Sequence, residues 1–170
     1  MGNKVRSLDI AEISQKSGIG SRRLRYVLDH EIVSLIGKSG RGRGARRKFP
    51  EYYAFAIACA ALLLESGLRQ NVARGIMDIL IKSRVGQIMG YIDAPLLNAL
   101  NCNQGAILEV ADGVNIRLKL ESTHDLIVMP VKDTGWLQVA TGANLAKHYE
   151  PLITVRFDIK RLRDRLDIHP

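Results

Sequence analysis

The sequence predicts an α+β protein in which helices come first and strands follow. Two observations lead there, and a third bears on partners. Apolar residues recur with a helical period through residues 8–82, and from residue 106 onward they alternate with polar ones, as in half-buried strands. The third is charge: residues 1–50 hold 12 Lys/Arg against 4 Asp/Glu, whereas residues 51–170 hold 13 of each, so the formal net charge of +8 sits in the first fifty residues. A one-sided field of this kind draws polyanions and raises encounter rates, so it bears on partners rather than on fold.

A length of 170 residues allows one domain or two small ones, and 46% hydrophobic residues suffice for a core. Two cysteines, Cys59 in an apolar helical pattern and Cys102 between asparagines, cannot make a zinc site alone and do not form a disulfide framework. The longest apolar stretch, residues 54–64, spans 11 residues, short for a membrane crossing and typical of a buried helix. No hydrophobic leader opens the chain. The expectation is a soluble cytoplasmic protein, bacterial or phage and nucleoid-associated, with no membrane partner.

Residues 1–7 are polar and read as a charged arm. The next apolar positions, Leu8, Ile10, Ala11 and Ile13, share one helical face, with Asp9 and Glu12 at the start, where the helix dipole favours carboxylates. Gly18 ends this helix as a C-cap glycine. A second helix over residues 21–30 turns Leu24, Val27 and Leu28 inward and leaves Ser21, Arg22, Arg23, Arg25 and Tyr26 around the rest of its surface. Three arginines on a helix face are most often solvated. Here a tight glycine-containing turn precedes them and a Gly/Arg-rich loop follows, which points to a helix-turn-helix whose second helix enters a DNA major groove. Residues 37–48 form that loop, with Arg41, Arg43, Arg46, Arg47 and Lys48 as phosphate contacts of a wing, and Phe49 as its anchor against the next helix. The bland reading is a flexible basic linker, and its RGRG run also suits RNA.

At these residues the chain resembles the MerR family of winged helix-turn-helix regulators. The opening Ile10-Ala11-Glu12-Ile13, the turn Ser17-Gly18-Ile19 and the helix Arg22-Arg23-Leu24-Arg25-Tyr26 are similar to that family's I-G-E-L, T-G-V and R-T-L-R-Y-Y pattern, with Ile32-Val33 in place of its paired leucines. The spacing matches without a gap from Ile10 to Val33. The chain departs from the pattern at Val27, at Leu28 and at Glu31, where the family has glycine. The resemblance covers residues 8–82 and implies an N-terminal all-α winged helix-turn-helix domain followed, in this chain, by a small mainly-β domain.

Pro50 and Glu51 open a third helix that is apolar around much of its girth over residues 52–66, and Gly67 closes it. A fourth over residues 69–82 places Val72, Ile76, Ile79 and Leu80 on one face. The resemblance also implies a long dimerisation helix after these, but Gly86, Gly90, Pro95 and Gly105 interrupt any such helix, so residues 86–104 read as a linker between domains at 1–85 and 105–170. Residues 106–111 and 114–120, joined through Asp112-Gly113, read as a hairpin. Further strands are expected at residues 126–131, 136–140 and 152–157, and a short basic helix at 159–166. The second domain is expected to mediate oligomerisation or ligand sensing.

Enzymatic chemistry finds no support. His30, His124, His148 and His169 lack metal-ligand spacing, and the cluster Ser122-Thr123-His124-Asp125 has no nucleophile elbow around it. Trp136 reads as a core or interface anchor, and Cys102 senses oxidants only if exposed. The expectation is therefore a non-enzymatic, cofactor-free, sequence-specific reader of double-stranded DNA. Its partners would be duplex DNA, a second copy or more of the chain in a homodimer or higher homo-oligomer, and RNA polymerase. The rival readings are an architectural or excisionase-like DNA-bending factor of a mobile element, and RNA binding through the loop.

Overall fold

The computed structural model describes residues 6–34, 47–82, 84–87, 90–93, 95–101, 105–111, 115–120, 126–130 and 152–168. The first helix, α1 (Ile10–Ser17), begins two residues later than its apolar pattern suggests. The reason is Asp9: its carboxylate accepts from the Glu12 amide at 2.9 Å, and Glu12 returns a bond to the Asp9 amide at 2.7 Å. This reciprocal pair satisfies two amides the helix cannot, and it fixes the start at Ile10. Leu8 instead lies in strand β1 (Ser7–Asp9), paired antiparallel with β2 (Lys48–Pro50) so that Leu8 stands opposite Phe49. The N-terminal half is thus not purely helical, because this two-stranded ribbon ties the chain before α1 to the chain before the third helix.

Gly18 ends α1 at φ 79°, the left-handed conformation expected of it, with its amide bonded to the Ser14 carbonyl at 3.0 Å. Helix α2 (Ser21–Asp29) follows after Ile19 and Gly20, which with Gly18 make a three-residue connection. Helix α3 (Glu51–Glu65) is the centre of the molecule: its residues from Ala54 to Leu64 are buried apart from half-buried Leu62, and it touches α1, α2, β1, β2 and α4 (Gln70–Lys82). A helix apolar all round has no face to offer water, so other elements must surround it. Five alanines between Ala54 and Ala61 allow them to come close.

The stretch expected to be a linker carries secondary structure. Strands β3 (Arg84–Gln87) and β4 (Gly90–Asp93) form an antiparallel pair, and helix α5 (Pro95–Asn101) buries Leu96, Ala99 and Leu100. The glycines and the proline that exclude one long helix here permit these shorter elements. Next come β5 (Ala106–Ala111), β6 (Asn115–Leu120), β7 (Leu126–Pro130) and β8 (Thr154–Asp158), in an antiparallel sheet ordered β7-β6-β5-β8. The β5–β6 register pairs Ala111 with Asn115, so the hairpin forms as expected but three residues separate its strands, where a two-residue Asp-Gly turn would have paired Ala111 with Val114. Leu108 and Val110 of β5 and Ile116 and Leu118 of β6 are buried, whereas Leu152 and Ile153, before β8, are exposed. The chain is therefore α+β, with helices and separate antiparallel sheets. The expected strand at 136–140, Trp136, the 122–125 cluster, Cys102, His124, His148 and His169 lie outside the described residues.

Helix α6 (Ile159–Arg165) closes the fold, capped by the Asp158 carboxylate on the Arg161 amide at 2.8 Å. It buries Ile159 and Leu162, followed by Leu166 and Ile168, and touches α1, α3, α5 and β5. One apolar cluster consequently runs from Leu8 and Ile13 through α3 to Leu108, Leu162 and Ile168. No helix among the described residues is long and apolar enough to cross a membrane.

Candidate nucleic-acid interface

The α1–α2 connection is three residues long and knitted by side chains. Ser17 Oγ donates to the Ile13 carbonyl at 2.6 Å and accepts from the Ile19 amide at 3.1 Å, while Ser14 Oγ donates to the Ile19 carbonyl at 2.7 Å. Ile19 is buried. These bonds hold α2 at a fixed angle to α1, and α2 then seats Leu24 and Val27 in the core at 0% exposure.

The opposite side of α2 is basic. Arg22, Arg23 and Arg25 are exposed, and none of them makes a hydrogen bond or ion pair with the described residues. Five other described arginines are engaged: Arg6 with Asp167, Arg74 with the His30 carbonyl, Arg156 with Glu109, Arg163 with Asp164 and the Leu100 carbonyl, and Arg165 with the Ser17 carbonyl. Three adjacent guanidiniums without a carboxylate keep their full donor capacity for an external anion or base edge.

A shallow depression of about 300 Å³ runs along this face, lined by Ser21, Arg22, Arg25, Tyr26 and Asp29. It brings together four of the residues singled out from sequence and adds Asp29. Arg23 is exposed but does not line it. Tyr26 is half-buried, its hydroxyl donates to Gln70 Oε1 at 3.0 Å, and its ring lies 4.0 Å from that of His30. Its polar end is therefore spent on α4, so its first effect is to position α2. Arg74, also on α4, donates to the His30 carbonyl at the C-terminus of α2, where a cation suits the dipole. Sequence reasoning did not find Gln70, Arg74 or Asp29 as parts of the site. Only Asp29 carried a local signal, its place one turn beyond Arg25; the other two act across 44 residues.

The loop that follows α2 leaves it through a left-handed residue. Glu31 has φ 49°, and the Ile32 amide bonds the Val27 carbonyl at 3.0 Å, so the helix ends as it would with glycine there. Arg41, Arg43 and Arg46, the expected wing contacts, lie outside the described residues. Arg47 is exposed with its guanidinium 5.2 Å from the centroid of the Phe49 ring, and Lys48 is exposed on β2. Phe49 is buried at 3% exposure, so the loop's return is anchored by packing and by its pairing with Leu8.

Other chemistry finds little to work with. Burial pushes the Cys59 thiol up, away from the reactive thiolate. Among the described residues no three of His, Cys, Asp or Glu gather as a metal site would require. Comparison of the chain with protein-family models, with curated proteins and with solved structures finds no match in any of the three.

Proposed function

We propose that this chain is a sequence-specific double-stranded DNA-binding regulator whose first half works as a MerR-like winged helix-turn-helix. The observation that carries the reading is the face of α2: Arg22, Arg23 and Arg25 are exposed and unpaired among the described residues, on a helix whose other side is locked into the core. In this reading α2 enters the major groove, where arginine bonds guanine bidentately, and Arg41, Arg43, Arg46, Arg47 and Lys48 hold the flanking phosphates. The net +8 of residues 1–50 supplies the long-range attraction. One such helix spans few base pairs, so a homodimer is proposed to read two half-sites about one helical turn apart. Regulation would then act through the polymerase or through competition for a promoter.

The test is the affinity of the full chain for duplex DNA as salt is raised. With six to ten phosphates neutralised, affinity falls roughly 10³- to 10⁵-fold between 50 and 200 mM salt. The combined Arg22→Ala, Arg23→Ala and Arg25→Ala variant should show a shallower slope. A flat dependence in the unaltered chain, or tighter binding of structured RNA than of duplex, overturns the reading.

A further inference from the structure

We infer that Asp29 is a specificity-determining residue of α2, demanding the amino group of a cytosine beside the guanines that Arg22 and Arg25 select. The inference rests on the duplex-reading role proposed above and goes beyond it by naming the base required at the end of the helix.

Asp29 is the last residue of α2, where the helix dipole disfavours a carboxylate. It is exposed and makes no hydrogen bond or ion pair with the described residues. Arg25 stands one turn earlier, at a spacing where the two side chains could pair, yet they do not. No described residue therefore draws stability from this acid through a hydrogen bond or ion pair. Its place is in the lining of the same depression as Ser21, Arg22 and Arg25.

A carboxylate only accepts hydrogen bonds, and against a phosphate backbone it is repelled. On a face that grips DNA it is tolerated where it meets a donor. Cytosine offers the major groove a single amino donor, whereas guanine offers two acceptors that exclude a carboxylate. Adenine sets its amino group beside the N7 acceptor, which an acid meets lone pair to lone pair. From Ser21 to Asp29 the helix rises roughly 12 Å, about three to four base steps. Arg22, Arg25 and Asp29 can thus address successive steps of one short site, with guanine opposite the arginines and cytosine opposite the acid.

Selection of bound sequences from a random duplex pool tests this, comparing the full chain with Asp29→Asn and Arg25→Ala. The unaltered chain should enrich a motif holding a cytosine column near its guanine columns. Asp29→Asn should keep the guanine columns, lose roughly tenfold of the cytosine preference and move toward adenine, which asparagine bonds bidentately. Arg25→Ala should keep the cytosine column and lose a guanine. The thermal midpoint of Asp29→Asn should be unchanged or higher. A motif without the cytosine column, or one that Asp29→Asn leaves intact, overturns the role of Asp29 while duplex reading stands. No enriched motif from the unaltered chain overturns both.

Discussion

Glu31 leaves α2 at φ 49°, in the left-handed region that glycine enters without strain. For an L residue the left-handed region costs about 1–2 kcal/mol, and glycine gives back roughly 0.5–1 kcal/mol through its freer unfolded chain. Strain exceeds entropy, so Glu31→Gly should stabilise the protein by about 0.5–1 kcal/mol, read as a higher urea midpoint with an unchanged slope. A lower midpoint would mean that the glutamate side chain contributes more than its backbone loses. Gly18, at φ 79°, shows the reverse case: its amide completes the end of α1, and any side chain there would be strained. The two positions bracket α2, and the chain direction on either side of that helix depends on both.

At the scale of elements, α2 is held in place by α4. The Tyr26 hydroxyl on Gln70 and the Arg74 guanidinium on the His30 carbonyl fix the middle and the end of a helix of nine residues. A helix of that length is marginal by itself, so its order comes from such contacts and from Leu24 and Val27 in the core. Arg74→Ala removes a charged donor in an exposed setting, with an expected loss of about 1 kcal/mol. The distinguishing measurement is local. Amide exchange in the last turn of α2 should accelerate while exchange in α3 stays slow, and duplex affinity should fall although Arg74 is absent from the proposed interface. Equal acceleration in both helices would assign Arg74 to global stability alone.

At the scale of the whole molecule, the C-terminal segment fastens the last sheet to the first helices. Asp167 accepts from Arg6 at 2.7 Å and from Lys16 at 3.1 Å, and Arg165 donates to the Ser17 carbonyl at 3.2 Å, beside the α1–α2 turn. Strand β8 runs straight into α6, so one continuous segment reaches from the sheet to that turn. Hydrogen bonds from Arg6, then Lys16, hold the Asp167 carboxyl well below its ordinary value of 3.8. A carboxyl depressed in the folded state adds stability above its unfolded value and loses it as pH falls. Asp167→Asn should therefore lower stability at neutral pH and flatten the acid limb of the stability profile below about pH 4. A variant with the same acid limb as the unaltered chain would remove Asp167 from the linkage.

Local order was largely legible in the sequence. The helical period located α1 to α4, apolar alternation located β5 and β6, and Arg22, Arg23 and Arg25 stood out because side chains one turn apart share a face. The capping box Asp9-x-x-Glu12 was equally available and moves the start of α1 past Leu8. What no local pattern carried was pairing between distant segments. Leu8 opposite Phe49, Gln70 and Arg74 on α2, and α6 against α1 join residues 41 to about 150 positions apart, and periodicity has no term for such contacts. The reading of 86–104 as a linker failed for the same reason: glycine and proline report where a long helix cannot run, not whether the short elements between them find a core to enter. By itself the sequence determined where α1 to α4 and the β5–β6 hairpin lie and which face of α2 carries its charge. Only the tertiary structure decided that Tyr26 is held by α4, that Asp29 has no partner among the described residues, and that the two halves share one core, because burial and pairing belong to the folded arrangement and not to any one segment.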